Sequence, residues 1–418
     1  MHRGTVKVLV VTFYFPPAGG GGVQRPLKFA THLPDLGVET HVLAPDDPRW
    51  IHRDDGLSLP PRARVHRARY FGPRGRKRAE ELHGVVGLQR FSREASLFAR
   101  RLIVPDENMS WGLTAIPAAI RIVRKEGIDV VLTTSPPGSV HLIGAAVKRA
   151  TGVRWVADLR DPLVAHPHRD VDRLLVRMKE RTQGLVARVV THSADAIVTV
   201  SDAIAEEMSV LGPRGPVVAI ANGSDFDDFS DLAYTPGDRF RITHTGSFFG
   251  RRDPRPFLTA LEQVDGVVAR FVGDFRASDR EWAESLRLGD RLELIPYAQH
   301  RRALELQRDS EALLLLIPEA GGRGPGILSG KVFEYIAAER PILALVPSRG
   351  AASRLLTETG AGVVVDPEDI EGITRELVAM RDRWLSSESS AELAQEWRVK
   401  LSRRSRVEEL VKLLQLLP

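Results

Sequence analysis

The chain has 418 residues, of which 43% are hydrophobic and 27% charged, with no cysteine and a formal net charge of +5. This length predicts two domains rather than one core, and the composition is typical of folded protein. The lack of cysteine excludes disulfides, thiolate zinc sites and a cysteine nucleophile. No apolar run reaches the ~18 residues of a membrane span, and the N-terminus lacks a signal-peptide cleavage site. We therefore expect a cytoplasmic protein that does not cross a membrane.

Strands and helices alternate through the first half of the chain, a pattern typical of a parallel sheet covered by helices. The predicted strands span 6–12, 41–44, 130–133, 155–158, 196–200 and 217–221, and the predicted helices span 23–36, 118–125 and 140–151. Pro117 suits the first position of the second of these helices. Ser201 suits the N-cap of the helix that follows the fifth strand.

Residues 222–240 are acidic, rich in turn residues and without apolar periodicity, so we predict a hinge there. The alternation then resumes, with strands at 242–245, 268–273, 291–295, 312–317, 342–346 and 362–365 and helices at 256–264, 301–310 and 331–338. A final helix at 398–417 carries an apolar stripe, and we expect it to pack on the first domain. The predicted domains are thus 1–230 with 398–418, and 231–397.

Positive charge is concentrated between residues 62 and 101, where twelve Lys or Arg stand against three Glu. Bulky apolar residues, among them Phe71, Phe91 and Phe98, are interleaved with them. This pattern suits an anionic membrane surface, which would place the protein peripherally on the inner face of the membrane, or a phosphate-bearing acceptor. A solvated arginine-rich surface is the alternative. Nucleic-acid binding is disfavoured because no recognition motif accompanies the charge.

The loop after the first strand contains four consecutive glycines and leads into the first helix. Gly20, Gly21 and Gly22 remove every Cβ where a ligand would approach the backbone, and the N–H groups of the helix start face that ligand. Arg25, in the first helical turn, adds a charge suited to phosphate. The alternative is a merely flexible turn. The loop is neither a dinucleotide fingerprint nor a P-loop, because Gln24 replaces the third glycine and no Gly-Lys-Ser/Thr follows.

Two further groups of polar residues follow strands of the first half. Arg160 and Asp161 come at the end of the strand 155–158, where α/β active sites form, and Asp161 is placed to accept hydrogen bonds from a hydroxylated ligand. The alternative is an Arg–Asp pair that pins the loop. His141, near the start of the helix 140–151, is a candidate for the same site, although a lone histidine there is more often structural.

The second half repeats this logic after its first strand. Gly246 allows a phosphate to approach closely, and Arg251 and Arg252 would neutralise its charge. A glycine-bounded turn with solvated arginines is the alternative. Tyr297 follows another strand of this half and is a candidate for contact with a base.

The loop 324–330 is rich in glycine and runs into the helix 331–338. Gly326, Ser329 and Gly330 precede a helix N-terminus that can hold a diphosphate, with Lys331 as the countercharge. Glu334 lies one turn further on, where a carboxylate can bind the two hydroxyls of a ribose. The alternative is an exposed Lys–Glu pair on an ordinary helix.

With these motifs the chain resembles the retaining glycosyltransferases of family 4, which have the GT-B fold of two Rossmann-like domains facing each other across a cleft. The resemblance is carried by three segments: FPPAGGGGVQR at 15–25, NGSDFDDF at 222–229 and GKVFEYIAAERPILAL at 330–345. The Ser-Pro-Pro loop at 135–137, the segment ADLRDP at 157–162, and Pro105-Asp106 with Trp111 are similar to the branch that builds cell-surface polysaccharides and lipid-linked glycans.

The resemblance implies that the second domain binds a nucleotide-diphosphate sugar and that the first binds a sugar, lipid-linked or small-molecule acceptor. Glu334 matches the glutamate that binds the donor ribose, and Lys331 and Arg252 match diphosphate-binding positions. Gly20, Gly21 and Gly22 would lie against the donor diphosphate or the acceptor.

Three positions depart from the family pattern. Gly326 stands where the family has a second glutamate, so backbone amides of the loop would contact the transferred sugar. Glu339 replaces the usual glycine before Arg340-Pro341. Arg160-Asp161 stands where the family has a histidine.

The resemblance also implies transfer of a hexosyl group with retention, by front-face attack of the acceptor hydroxyl with the departing diphosphate as base. The catalytic candidates are then Arg252, Lys331 and Asp161, and no metal or other cofactor is expected. Two alternatives remain open, a sugar-nucleotide 2-epimerase and a nucleotide-sugar-binding protein without catalysis. An NAD-dependent oxidoreductase is disfavoured by the missing fingerprint.

Overall fold

The structure is a computed structural model, and it describes residues 5–47, 52–73, 100, 102–164, 174–248, 251–388 and 392–417. The chain forms two compact units, Met1–Ala221 with Arg406–Pro418 and Asn222–Ser405. The chain passes from one unit to the other at Ala221–Asn222 and at Ser405–Arg406.

The described residues of unit 1 form a seven-stranded parallel sheet in the order β3-β2-β1-β4-β5-β6-β7. Its strands are β1 (Lys7–Thr12), β2 (Glu39–Pro45), β3 (Arg64–Ala68), β4 (Val130–Thr134), β5 (Arg154–Leu159), β6 (Ala196–Thr199) and β7 (Val217–Ala219). The described helices of its first segment are α1 (Gly21–His32), α2 (Gly112–Glu126), α3 (Val140–Thr151), α4 (Leu174–Ser193) and α5 (Asp202–Ser209). The central strands are near-continuous apolar runs because both faces of the sheet are covered.

In the described part of unit 2 there is a six-stranded parallel sheet in the order β10-β9-β8-β11-β12-β13. Its strands are β8 (Phe240–Thr245), β9 (Val267–Val272), β10 (Leu292–Ile295), β11 (Ala312–Leu316), β12 (Ile342–Leu345) and β13 (Gly362–Val365). The helices that follow β8 in the described residues are α6 (Arg255–Glu262), α7 (Ala277–Ala283), α8 (His300–Arg308), α9 (Gly330–Ala338), α10 (Ala351–Thr359), α11 (Ile370–Leu385), α12 (Gln395–Leu401) and α13 (Arg403–Leu416).

Most predicted strands and helices are found in the structure, but the structure also contains elements that were not predicted, among them β3, α4, α7 and α10. Three helices differ from the prediction in other ways. Helix α2 begins at Gly112 and contains Pro117 in its interior, so the prediction that this proline starts the helix was wrong. Buried Trp111 precedes Gly112 and anchors the extra turn. Ser201 does occupy the N-cap of α5, but its side chain makes no capping bond.

The final predicted helix is in fact two, because residue Ser402 is extended and separates α12 from α13. The backbone of Ser224 pairs with this break: its N–H donates to Leu401 O at 3.0 Å and its carbonyl accepts from Arg403 N at 3.2 Å. A Cβ at Gly223 would lie 2.7 Å from Leu401 O, so the close approach requires glycine. The predicted hinge sequence therefore pairs with the C-terminal helices of unit 2.

Helix α13 completes the core of unit 1 on one face of the sheet. Its apolar side chains from Val407 onward pack in the same cluster as Val8 and Val10 of β1 and Val23 of α1. The apolar stripe predicted from the sequence thus packs in the core of unit 1 from residue 406 onward.

Both sheets share one topological feature that positions functional residues. The order of strands reverses between β1 and β4 in unit 1 and between β8 and β11 in unit 2. Loops on either side of such a reversal diverge above the carboxyl ends of the strands and leave a crevice, in which ligands of open α/β sheets bind. Within the described residues, no helix has the length and apolar character needed to cross a membrane.

We predict that Leu410→Ala, which removes a fully buried side chain from the core of unit 1, lowers the free energy of unfolding by about 2–5 kcal/mol. The matched control is Leu416→Ala on the same helix, where the side chain is 81% exposed and a loss below about 0.5 kcal/mol is expected. Denaturant unfolding of the full-length variants measures both losses. Equal losses of stability in the two variants would contradict the packing of α13.

Candidate functional site

The candidate site of unit 2 lies where its strand order reverses. Strand β8 ends at Thr245, beside β11, and the chain continues through Gly246 into the loop that carries the two predicted arginines. Strand β11 leads through residues 317–329 to α9, whose second residue is Lys331. The structure thus brings together two segments that are more than eighty residues apart in sequence.

Lys331 extends from α9 to the end of β8. A Cβ on Gly246 would lie 2.2 Å from its Nζ, and Gly246 has a φ of +119°, so only glycine fits beneath the ammonium. The Nζ atom lies 3.3 Å from Nε2 of His244. Burial, followed by the nearby charge of Arg252, lowers the pKa of Lys331 well below its ordinary value, whereas Glu334 opposes the shift.

Arg252 is the second cation of this site. Burial lowers the pKa of its guanidinium, and its Nη1 donates to Ser247 O at 3.4 Å. Its own carbonyl accepts a hydrogen bond of 2.7 Å from Arg276 Nη2, which ties the arginine loop to the segment after β9. Arg251 is exposed, and Gly321 lies close to its guanidinium.

The N-terminus of α9 adds a partial positive charge to the same place. Ser329 is its N-cap and accepts from Lys331 N at 3.4 Å. At Gly330, the first residue, a Cβ would meet nothing within 4 Å, so this end of the helix is open to a ligand. Gly326 ends a 3-10 turn that precedes it.

Glu334 lies one turn into α9, partly buried, with its Oε1 3.8 Å from Arg403 Nη2. This arrangement differs from an isolated Lys–Glu pair on a helix surface, because Lys331 faces the imidazole of His244 and Glu334 faces Arg403. Tyr297 lies in the loop after β10 and is partly buried.

Three residues that the sequence analysis did not select fix the end of β8. Tyr335 Oη accepts from Thr245 N at 2.8 Å, and Gln307 Nε2 donates to Thr245 Oγ1 at 2.9 Å. Burial raises the pKa of Tyr335 to about 12, so its hydroxyl stays protonated. The signal in the sequence was Thr245, a polar residue at the carboxyl end of β8.

Glu339, at the position where the resemblance implies a glycine, is the C-cap of α9 in the left-handed conformation with φ of +52°. Glycine adopts this conformation without cost, whereas glutamate does so rarely. Its carboxylate pairs with Arg398, and its Oε2 lies 3.6 Å from Arg308 Nη1. These ion pairs offset the backbone strain at this position.

In unit 1, the side chain of Arg25 is buried against the carboxyl end of β5. Its guanidinium binds both carboxylate oxygens of Asp158, with Nη2 2.8 Å from Oδ1, and donates to the carbonyls of Ile220 and Ala221 at 3.0 and 3.1 Å. Arg25 is 5% exposed and Asp158 is fully buried. Thr134 Oγ1 donates to the same carboxylate at 2.6 Å. Arg25 therefore joins α1 to β4, β5 and the end of β7.

Arg160 joins the loops above the reversal of strand order in unit 1. It donates to Gly22 O at 2.7 Å and to the carbonyl of Ser135 in the Ser-Pro-Pro loop. Its Nη2 is buried and makes no hydrogen bond within the described part of the chain. Asp161, the next residue, is exposed.

His141 is completely buried beside these loops. Its Nδ1 lies 2.9 Å from Thr133 Oγ1, a hydroxyl that also accepts from Trp155 Nε1 at 2.8 Å. Its Nε2 makes no hydrogen bond among the described residues. Burial lowers the pKa of His141 to about 3, so the ring is neutral at ordinary pH.

The glycine loop is open on its ligand side. Gly20 is the N-cap of α1 with φ of +89°, which favours glycine, and a Cβ at Gly20 or Gly21 would meet nothing within 4 Å. A Cβ at Gly22 would make ordinary contact with Tyr14.

The basic segment 62–101 lies largely outside the described residues, which omit 74–99 and 101. Its described arginines make contacts within unit 1: Arg62 pairs with Asp35 at 2.5 Å, Arg64 with Glu126 at 3.1 Å, and Arg67 donates to Pro16 O. In the described ranges, no group of three or more His, Cys, Asp or Glu residues is arranged to hold a metal ion.

Comparison with known proteins identifies one domain family. Residues 20–223 match the family model of the glycosyl transferase 4-like domain. The matched region starts in the glycine loop and covers most of unit 1. No curated protein sequence is significantly similar to the chain.

Solved structures match the chain along almost its whole length. Sucrose-phosphate synthase from Thermosynechococcus elongatus has 13% identity and a TM-score of 0.63, with 98% of each chain covered. Alr3699/HepE from Anabaena, in complex with UDP and glucose, has 14% identity and a TM-score of 0.63 over 99% of this chain and 100% of that one. UDP-GlcNAc 2-epimerase from Methanocaldococcus jannaschii has 10% identity and a TM-score of 0.51 over 98% and 99%.

These matches agree with the two parallel sheets and their flanking helices. The chain has the α/β fold of the GT-B glycosyltransferases, with two Rossmann-like units, and its residues 20–223 match the model of the glycosyl transferase 4-like domain.

Proposed function

We propose that this protein is a retaining glycosyltransferase that moves a hexosyl group from a nucleotide-diphosphate sugar to an acceptor hydroxyl. The glycosyl transferase 4-like domain and the GT-B fold support the reaction class. The donor binds to unit 2 at the end of β8 and the start of α9. The acceptor, a sugar or lipid-linked glycan of the cell envelope, binds to the loops of unit 1.

The observation that carries this proposal is the convergence of two cations on the N-terminus of a helix. Burial lowers the pKa of both Lys331 and Arg252, and the charge of Arg252 lowers the pKa of Lys331 further. Two like charges held together in a partly desolvated place cost free energy unless an anion binds between them. A diphosphate supplies that anion, and the open start of α9 at Gly330 supplies N–H donors for its oxygens.

The same groups suit the chemistry of the leaving group. As the glycosidic bond to the diphosphate breaks, negative charge grows on the departing oxygen, and Lys331, Arg252 and the helix N-terminus stabilise it. Glu334 accepts hydrogen bonds from the ribose hydroxyls. Backbone amides around Gly326 contact the transferred sugar in place of the second glutamate.

In unit 1 we propose that the glycine loop, Arg160 and His141 bind the acceptor, with Asp161 oriented toward its hydroxyl. Arg160 supports this role because one of its buried nitrogens remains without a hydrogen bond within the described residues. The basic segment 62–101 would hold the protein against an anionic membrane surface. We propose no metal or other cofactor for the reaction.

The nucleotide and the sugar are best sought first among UDP-sugars, since Alr3699/HepE of Anabaena was solved with UDP-glucose as well as with UDP and glucose. A thermal-shift panel of UDP-, GDP-, ADP- and dTDP-sugars tests the choice, because a ligand that binds the native state raises the melting temperature. Incubation with UDP-N-acetylglucosamine alone separates the proposal from 2-epimerase activity, which would yield an epimer without an acceptor.

We predict that Lys331→Ala and Glu334→Ala each weaken binding of the donor by about 10–100-fold, the effect of losing a charge-assisted hydrogen bond, and abolish measurable transfer. Isothermal titration calorimetry and a product assay measure the two effects. Arg302→Ala is the control, since it removes an exposed cation of α8 that is 63% exposed.

Unchanged donor affinity in both variants would contradict the donor site. Donor binding by the wild-type protein without transfer or hydrolysis, across a wide acceptor panel, would instead identify a binding protein. The anomeric configuration of the product, read by NMR, tests retention.

We also predict that Gly246→Ala weakens donor binding at least about tenfold, because a Cβ would displace Lys331 Nζ and the backbone conformation is unfavourable for alanine. Gly184→Ala, in α4 of unit 1, is the control: its Cβ meets nothing within 4 Å, and its backbone is helical. The same calorimetric titration compares them. Equal affinity for Gly246→Ala and wild type would show that the position of the ammonium does not matter.

A further inference from the structure

One buried histidine at the donor site has no part in the function proposed so far. His244 is the penultimate residue of β8 and is completely buried. A titratable ring in the centre of a parallel sheet loses hydration, and its nitrogens must find partners within the protein. Both ring nitrogens of His244 have such a partner.

These partners determine which nitrogen of His244 carries the proton. Nδ1 lies 2.8 Å from the carbonyl oxygen of Leu314 on β11, and a carbonyl can only accept, so Nδ1 carries the hydrogen. In the neutral ring Nε2 is then a free acceptor. It faces Lys331 Nζ at 3.3 Å, and the amine donates to it. Burial, with the charge of Lys331, lowers the pKa of His244 well below its ordinary value, which is consistent with the neutral form.

The imidazole is also fixed in orientation. The ring centroids of Phe248 and Phe271 lie 5.0 and 6.0 Å from that of His244. The bond to Leu314 holds its other edge to β11. A lysine side chain, by contrast, has four rotatable bonds and loses much rotamer entropy when held in one place. His244 thus provides a rigid acceptor for an otherwise flexible ammonium.

We propose that His244 is a positioning residue that holds the ammonium of Lys331 above Gly246, ready for the diphosphate of the donor. This inference rests on the proposed function. An ammonium carries several N–H donors, so one hydrogen bond to Nε2 leaves the others available for the ligand. The gain in affinity comes from preorganisation rather than from a contact between His244 and the ligand.

Two substitutions separate this role from simple packing. The amide nitrogen of asparagine can replace Nδ1 toward Leu314, but asparagine is too short to reach Lys331. The longer glutamine places its amide near Nε2, where its oxygen can accept from Lys331. Positioning therefore predicts that His244→Gln preserves donor affinity better than His244→Asn does, whereas packing alone predicts no such order.

The experiment is a calorimetric titration with UDP, GDP, ADP and dTDP, each used separately, against the full-length wild-type protein and its variants. We expect His244→Asn to weaken the best of these nucleotides about tenfold and His244→Gln to remain within about threefold of wild type. His244→Ala is measured as a second variant that lacks the acceptor, in case His244→Asn does not fold. Thermal unfolding verifies that each variant is folded.

A double-mutant cycle completes the test. If His244 acts through Lys331, then His244→Asn causes no further loss of affinity in a protein that already carries Lys331→Ala. Additive losses, or affinity for His244→Asn and His244→Ala equal to that of wild type, would overturn the positioning role while the donor site stands. Unchanged affinity in Lys331→Ala, or no nucleotide binding by the wild type, would overturn the proposed function itself.

Discussion

Parallel pairing of strands is the constraint on which the rest of this structure depends. In both units all strands point the same way, so their carboxyl ends and the loops that follow meet at one edge of the sheet. The order of strands reverses beside β1 and beside β8, and the loops diverge there. The glycine loop and Arg160 in unit 1, and Gly246 and Lys331 in unit 2, all lie at these two places.

The two units use buried cations in different ways at this edge. The charge of Arg25 is neutralised by Asp158, and its guanidinium also donates to two carbonyls, an arrangement that joins elements of unit 1. Lys331 faces a neutral imidazole and lies near a second cation, Arg252, so its charge is only weakly balanced by Glu334. The first arrangement stabilises a fold, whereas the second favours the binding of an anion. The domain family is recognised in residues 20–223, and the geometry of unit 2 supplies the independent argument for a donor site.

Much of the fold could be predicted from the sequence, because buried parallel strands are short apolar runs and most helices are amphipathic. The helix of Val140–Thr151 and the strand of Gly362–Val365 were predicted at their observed bounds. Strand β3 and helices α4, α7 and α10 were not predicted. The prediction of one continuous C-terminal helix was wrong. Local periodicity cannot reveal a backbone pairing between Ser224 and Ser402, which are 178 positions apart.

The candidate site likewise has features that the sequence predicts and features that depend on the tertiary structure. Gly246 and the start of α9 were predicted as site residues from the sequence alone, since glycines close to a cation after a strand or at a helix start form a local motif. Local sequence determined the order of strands and helices and the chemistry available at their ends. Only the tertiary structure decided the partners: that Arg25 binds Asp158, that Gly246 lies beneath Lys331, and that His244 accepts from it. These contacts join residues far apart in the chain, and they form only when the sheet brings the strand ends together.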